Sequence, residues 1–475
     1  MKKNIIRIIC FILVLMVVLI LANKVFRFKY SDGIYTAEKF YELENNSVDV
    51  LFLGSSHAYE NFNTGTLWDE QGIASFIFAG SVQPMWNSYY FLKEALKTQT
   101  PKLIVLEGFR LVMKDEFSED SRIIFNNFGL RWSLDKVDSI KASAPRERWT
   151  EFFLEYIQYH NRYSELSAED FLPNKGNHQY DDWKGFGCNM DTVEFKAKDL
   201  SDVTEKDELY EKTEKYYRAT IELAQEHNIP ILVVVCPYAG IKKAEQRLYN
   251  TAKDIATEYG VPFINCNLLI DEIGIDYQYD AGDSSHLNYR GNQKLSTFIG
   301  NYLVNNYNIP DHRGDENYAS WQRSADYVRQ MIYDQELVDE YSLNKITEKL
   351  QNPNYSIIVS IDGTCSTMDE NLSLFFQTIG FSEIDYKGIW YKNSDGVIWI
   401  SGNNESIKNI MTPYHDICLK RILLNETNYS NSIIIDNEIC NRVSNGVNVV
   451  VYDTKIDKVA DVFGVDIDNE YAIIR

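Results

Sequence analysis

The chain has 475 residues, 45% hydrophobic and 24% charged, a globular balance that excludes a disordered or collagen-like protein and leaves room for about two or three folded units. With 47 Lys and Arg against 69 Asp and Glu the net charge is −22, so the chain repels phosphate backbones and nucleic acid is not an expected partner. Seven cysteines without CxxC spacing argue against a disulfide scaffold, a zinc ribbon or a thioredoxin-type site.

In chain order, Lys2, Lys3 and Arg7 precede an unbroken apolar run from Ile8 to Ala22. With Ile5 and Ile6 the stretch reaches ~27 Å at ~1.5 Å per residue, enough for a bilayer core. A cleaved signal peptide is the rival reading, but the run ends in Leu21-Ala22-Asn23-Lys24, a poor cleavage match. The expectation is an uncleaved single-pass anchor over residues 1–30. Lys24, Arg27 and Lys29 balance the basic tail, which still favours an inside N-terminus with the rest of the chain extracytoplasmic.

From residue 48 strands alternate with helices. Val48–Leu53, Ala74–Ala79, Lys102–Leu106, Ile231–Val235 and Val261–Cys266 read as five buried strands. Gln83–Lys97, Lys206–His227, Ala244–Tyr259 and Gln293–Asn306 read as helices, and residues 112–200 as a largely helical insertion. This pattern predicts an α/β unit over 45–311, a parallel five-stranded sheet with helices on both faces, whose ligands bind beyond the carboxyl ends of the strands. Residues 312–350 read as a polar helical connector, and 351–475 as a smaller β-rich domain with one helix near Leu372–Ile379.

Two segments lie at the ligand end of the sheet. The first strand runs into Gly54-Ser55-Ser56-His57, which is also a plausible helix cap. The loop after the fifth strand carries Asp283 and His286, three apart, which is also an Asx-turn pattern. A serine nucleophile needs an imidazole within hydrogen-bond reach, and that imidazole needs a carboxylate to fix its tautomer.

On these residues the chain resembles the SGNH/GDSL hydrolase superfamily over about residues 45 to 310. With Gly80-Ser81-Val82-Gln83-Pro84 and the residues that follow, it is most similar to the membrane-anchored branch that partners membrane-bound O-acyltransferases in teichoic acid D-alanylation and exopolysaccharide acetylation. The resemblance implies a flavodoxin-like sheet, Ser56 as nucleophile, Asp283 as orienting acid, His286 as base and Gly80 as an oxyanion donor, with no metal or cofactor. It also implies two partners, a membrane-bound O-acyltransferase and a cell-surface polysaccharide or teichoic acid. Two positions depart from the pattern. Ser55 replaces the usual Asp, and Glu107-Gly108 stands where the oxyanion Asn is expected.

Other histidines are weighed against plainer roles. His57 would touch substrate or make a local structural bond, and His160 with Arg162 would line a glycan or acyl-donor surface or a solvated helix face. No H-E-x-x-H, P-loop or G-x-G-x-x-G pattern occurs. In the last domain, Gly446–Asp453 with Asp461 resembles the domain of interleukin-like inducers of epithelial transition, which implies a binding module. Three functional readings follow: an extracytoplasmic O-acyltransferase acting on a surface polysaccharide, an anchored carbohydrate esterase, or a non-catalytic glycan binder.

Overall fold

The computed structural model describes residues 2–27, 32–171, 183–363, 370–381, 388–393, 395–400, 405–423 and 429–475. His178 and Cys365 lie outside them. The chain forms two compact units, Met1–Asp326 and Tyr327–Arg475, each with its own core.

The first unit opens with α1 (Lys2–Phe26), one helix long and apolar enough to cross a membrane, with a mean hydropathy of 3.3 and none of it buried. After it come α2 (Asp32–Tyr41), β1 (Val50–Gly54), α3 (Ser56–Asn61), α4 (Thr64–Gln71), β2 (Ser75–Ala79), α5 (Met85–Ala95) and β3 (Leu103–Glu107). The insertion holds α6 (Asp120–Asn127), α7 (Leu134–Ser143), α8 (Trp149–Phe153) and α9 (Tyr156–Tyr159). It continues through single-turn helices to Phe171 and is irregular from Trp183 to Tyr210, with helix present where the sequence pattern places it, around Trp149 to Leu166. Next are α10 (Glu211–Glu226), β4 (Ile231–Val235), α11 (Lys243–Glu258), β5 (Phe263–Asn265), α12 (Ile270–Ile273) and α13 (Tyr289–Asn306).

The five strands form one all-parallel sheet in the order β2-β1-β3-β4-β5, the order of flavodoxin-like folds. Four of the five strands are buried along their whole length, which is why they read as continuous apolar runs rather than alternating ones. Leu51, Leu53, Ile104, Leu106, Val233 and Val235 share a core with Phe40 of α2, Phe91 of α5, Ile221 of α10 and Ile255 of α11. Phe52 packs on Phe62 from the α3–α4 junction, with ring centroids 4.6 Å apart. Strand order reverses between β1 and β3, so a crevice opens beyond their carboxyl ends.

The expected connector is divided between the two cores. In α14 (Ala319–Val338), Trp321 and Ala325 are buried in the first core, whereas Leu337 is buried in the second. Ile346 of α15 (Leu343–Lys349) and Leu350 join the second core as well. Apolar residues at helical spacing on both sides of the division give each half a core to join.

The second unit contains β6 (Tyr355–Asp362), α16 (Glu370–Thr378), β7 (Ile389–Asn393), β8 (Gly396–Ile400), β9 (Ser406–Met411), β10 (Asp416–Leu423), β11 (Tyr429–Ile435), β12 (Glu438–Ile439), β13 (Gly446–Asp453), β14 (Lys458–Asp466) and β15 (Ala472–Ile474). An antiparallel six-stranded sheet, β15-β14-β13-β6-β7-β8, faces a four-stranded one, β12-β11-β10-β9. Alternation along the strands serves both faces. Ile357, Val359, Val449 and Val451 pack with α15 and α16, and Ile358, Val450 and Tyr452 pack with Leu419 and Ile433 of the second sheet. Trp390 is a core residue on the helix side. Trp399 pairs with it in the β7–β8 ladder, and its side chain lies outside the described residues.

Candidate active site

Gly54 ends β1 and the chain turns at once into α3. A Cβ at Gly54 would stand 2.7 Å from the Cβ of Glu107 and 3.1 Å from that of Ala58, so only glycine lets β1 reach its end this close to β3 and α3. Ser55 occupies the cap position of α3, but its hydroxyl makes no capping bond. Ser56 is the first residue of the helix, at the crevice between β1 and β3.

The loop after α12 meets it there. His286 Nε2 lies 2.8 Å from Ser56 Oγ, and His286 Nδ1 lies 2.9 Å from Asp283 Oδ2. Because an ionised carboxylate only accepts, Nδ1 must carry the proton, which leaves Nε2 as the acceptor for the Ser56 hydroxyl. Asp283 Oδ1 accepts the backbone N–H of Ser285 at 2.6 Å and of His286 at 3.0 Å. One carboxylate oxygen thus builds the Asx turn and the other holds the imidazole.

Burial pushes the Asp283 carboxyl up, but the bonds from His286 and the two backbone N–H groups outweigh it and keep it below the ordinary aspartate range. The site is open. The Asp283 side chain is 47% exposed and that of His286 17%.

A polar scaffold holds the loop in place. Asn61 Oδ1 accepts the N–H of Leu287 at 2.8 Å, which ties the histidine loop to the helix that carries Ser56. Gly240 N–H, beyond β4, donates to Ser284 O at 2.7 Å. Asn288 caps α13 by accepting the N–H groups of Arg290 and Gly291. Gly291 packs where a Cβ would sit 2.4 Å from Asp280 O, so the loop can fold back on the helix. From the insertion, Asn189 Nδ2 lies 3.5 Å from Asp283 Oδ2.

A second carboxylate, Glu60, places Oε2 3.7 Å from His286 Nδ1. Glu60, Asp283 and His286 could hold a metal ion by proximity alone, with ligand atoms within 4.8 Å of one another. Both ring nitrogens of His286 are already engaged, with Asp283 and Ser56, so a metal there would displace one of these two hydrogen bonds.

The other expected site residues fall elsewhere. His57 is fully buried, its ring stacked on Phe109 at 3.4 Å between centroids and set edge-on to Tyr238 at 5.2 Å. Its centroid is 5.0 Å from that of His286, and burial, with the neighbouring His286 and Arg110 charges, holds it well below the usual histidine range. It is thus a neutral floor under the His286 imidazole rather than a group presented to solvent.

Gly80 follows Ala79, which pairs with Gly54 across the sheet, and it packs against Asn126 and Gly33. His160 and Arg162 are brought to the base of α1. Arg162 donates to the carbonyls of Phe26 and Arg27 and to Asp170, and exposed His160 sits beside Ile157 O.

Glu107 is fully buried beneath Gly54, and Oε1 accepts the N–H of Phe109 at 2.8 Å. Burial raises its carboxyl to about 8, so it is protonated at neutral pH. His312 binds Asp49 at 2.6 Å and stacks on Tyr318, a structural role.

Sequence reasoning missed Glu60, Asn61 and Asn189. Glu60 follows Ser56 by four residues of the same helix, a spacing that could have marked it as facing the same site, whereas Asn61, five residues on, is turned away from that face. Asn189 carries no local signal. No model of a known protein family matches the chain. No curated protein matches it either.

Proposed function

We propose that the protein is a membrane-tethered serine acyl-transfer enzyme, which takes an acyl group onto Ser56 and passes it to a hydroxyl of a cell-surface polysaccharide or teichoic acid. The observation that carries this reading is the unbroken chain Ser56 Oγ–His286–Asp283, with links of 2.8 and 2.9 Å. Ser56 Oγ attacks the acyl carbonyl while its proton passes to His286 Nε2, and the leaving group departs with that proton. The acceptor hydroxyl then gives its proton to Nε2 and attacks the acyl-serine, and the proton returns to Ser56 Oγ. Asp283 stabilises the imidazolium formed in both halves. In this reading the N–H of Ser56, in the first turn of α3, and that of Gly80, just after β2, are the backbone donors to the developing oxyanion.

Tethering supports transfer from a donor delivered at the membrane, because it raises the effective concentration of the site there. In this reading the donor comes from a membrane-bound O-acyltransferase, the catalytic unit faces outward, and the second unit binds glycan or partner. An open site suits a polymer acceptor. The same openness favours a second reading, in which water replaces the sugar hydroxyl and the enzyme is a carbohydrate esterase.

The test is partition of one intermediate. Full-length protein is charged with an isotopically labelled activated acetyl ester, then given either buffer or wall polysaccharide. Label recovered on the polymer supports transfer, label released only as acetate assigns the esterase, and no Ser56-dependent label in either fraction overturns both.

A further inference from the structure

The base of α1 is held by the insertion. Asn23 Nδ2 donates to Glu155 Oε2 at 3.2 Å, and Glu155 Oε1 accepts from Lys136 Nζ at 2.6 Å, a pair almost wholly buried. Arg162 donates to Phe26 O and, at 3.0 Å, to Arg27 O, and its guanidinium also reaches Asp170 at 3.2 Å. The Phe26 ring meets Tyr156 edge-on at 5.6 Å.

Each of these residues has an exposed apolar neighbour. Leu154 precedes Glu155, Ile157 follows Tyr156, Tyr163 follows Arg162 and Phe171 follows Asp170. Trp132 lies over Lys136, with Nζ 4.8 Å from the ring, and Leu134 opens α7. These six side chains are 42% to 82% exposed. A soluble surface does not gather six large apolar groups around one point without covering them. Here that point is where the apolar run of α1 ends, at Ala22, and where Lys24 marks the return to water.

We infer that the insertion seats on the bilayer, with Trp132, Leu134, Leu154, Ile157, Tyr163 and Phe171 at the boundary between headgroups and acyl chains around the base of α1. The inference rests on the reading of α1 as a membrane span. The occupant is lipid because the patch is continuous with the helix that lipid must cover. Its residues are also of interfacial type, with Trp, Tyr and Phe among them and polar groups directly behind. Half of the patch, Ile157, Tyr163 and Phe171, lies on short helical turns beside the residues that grip the end of α1, so helix and insertion form one mount. That mount sets the height and tilt of the Ser56 unit above the membrane, where a flexible tether would let it wander.

Intrinsic fluorescence tests this, since α1 contains no tryptophan. Full-length protein is placed in vesicles of phosphatidylcholine and phosphatidylglycerol, with or without bromine on the acyl chains. Brominated lipid should quench a component of emission that Trp132→Phe removes, and Leu154→Trp in that background should restore it. Iodide in the water should not reach that component. Val14→Trp, in the middle of α1, reports separately on the span. If Val14→Trp is not quenched by brominated lipid, the span reading itself has failed.

If Val14→Trp is quenched while Trp132 is open to iodide and indifferent to brominated lipid, the seating is wrong. Shielding of Trp132 that appears only when a second membrane protein is reconstituted would also overturn it, and would make the patch a protein-docking face. A Leu134→Glu, Leu154→Glu, Phe171→Glu variant with an unchanged circular dichroism spectrum should lose most of the Trp132 quenching and keep that of Val14→Trp.

Discussion

The two units bury polar groups in different ways. At the end of the parallel sheet, Asp283 and His286 are partly exposed and aligned on a serine, and hydrogen bonds keep the carboxylate ionised. In the β-rich unit, Asp334 and Asp453 are buried with Tyr355, whose hydroxyl donates to Asp334 at 2.7 Å. Burial, with each carboxylate beside the other, pushes Asp334 up, and burial raises Asp453. Asp362 is likewise raised by burial, and it accepts from Ser360, Asn441 and Asn448 in a net that joins strand to loop. Both regions hold perturbed carboxylates, but among the described residues the first sets its carboxylate in line with an imidazole and a hydroxyl at an open surface, whereas Asp334 and Asp453 are enclosed. A shifted carboxyl marks chemistry when it can act on something that enters; otherwise it marks stitching.

The largest effect that sharpens this contrast is loss of the relay. Ser56→Ala, His286→Ala and Asp283→Ala should each lower acyl transfer by about 10³- to 10⁶-fold with the melting temperature nearly unchanged, and double variants should be little worse than singles. Steady-state kinetics with a small activated ester checks this. By contrast, Asp334→Asn should leave that rate alone.

Truncation probes whether the units are separable. A chain ending at Asp326 should still fold and acylate Ser56 with a small ester, because the sheet, its helices and the triad all lie before that point. A chain ending at Leu350 would leave Leu337, Ile346 and Leu350 without their core and should aggregate. Size-exclusion chromatography separates the two outcomes.

Glu107 gives a pH signature to the first unit. Its folded value of about 8 lies above the ordinary 4.5, so the folded state binds the extra proton. Its contribution is full below about 4.5, declines as pH rises between the two values and is gone above about 8, a change of at most a few kcal/mol. Glu107→Gln should flatten that slope in denaturant titrations run across the window.

The smallest effect concerns Glu60. At 3.7 Å from His286 Nδ1 it adds field but no strong bond, so Glu60→Gln should slow acylation by roughly 3- to 30-fold. Stopped-flow acylation of Ser56 with the small ester measures the difference.

Much of the first unit was legible because fully buried parallel strands are continuous apolar runs bounded by Gly, Pro and Asp. Ser56, Asp283 and His286 were legible because each stands where a strand or loop ends at the ligand edge of such a sheet. The helix α2 was missed for want of a long apolar stripe. Strands β9, β10 and β14 were missed because they mix polar residues such as Lys408, Lys420 and Asp461 into the ladder, and only the packed sheets decide which face they present. The roles of Arg162 and His160 were unreadable for a related reason. A polar aromatic cluster looks the same whether it lines a substrate groove or grips a helix end, and only the contacts to Phe26 and Arg27 tell them apart.

Covalent acylation of Ser56 through His286 is open to direct measurement. Full-length protein in detergent is mixed with an activated acetyl ester, quenched in acid after a short interval and mapped by peptide mass spectrometry. One acetyl increment is expected on the peptide containing Ser56, absent in Ser56→Ala and strongly reduced in His286→Ala. An increment that persists unchanged in His286→Ala, or that sits on Ser55 or another residue while the Ser56 peptide stays unmodified, would contradict it.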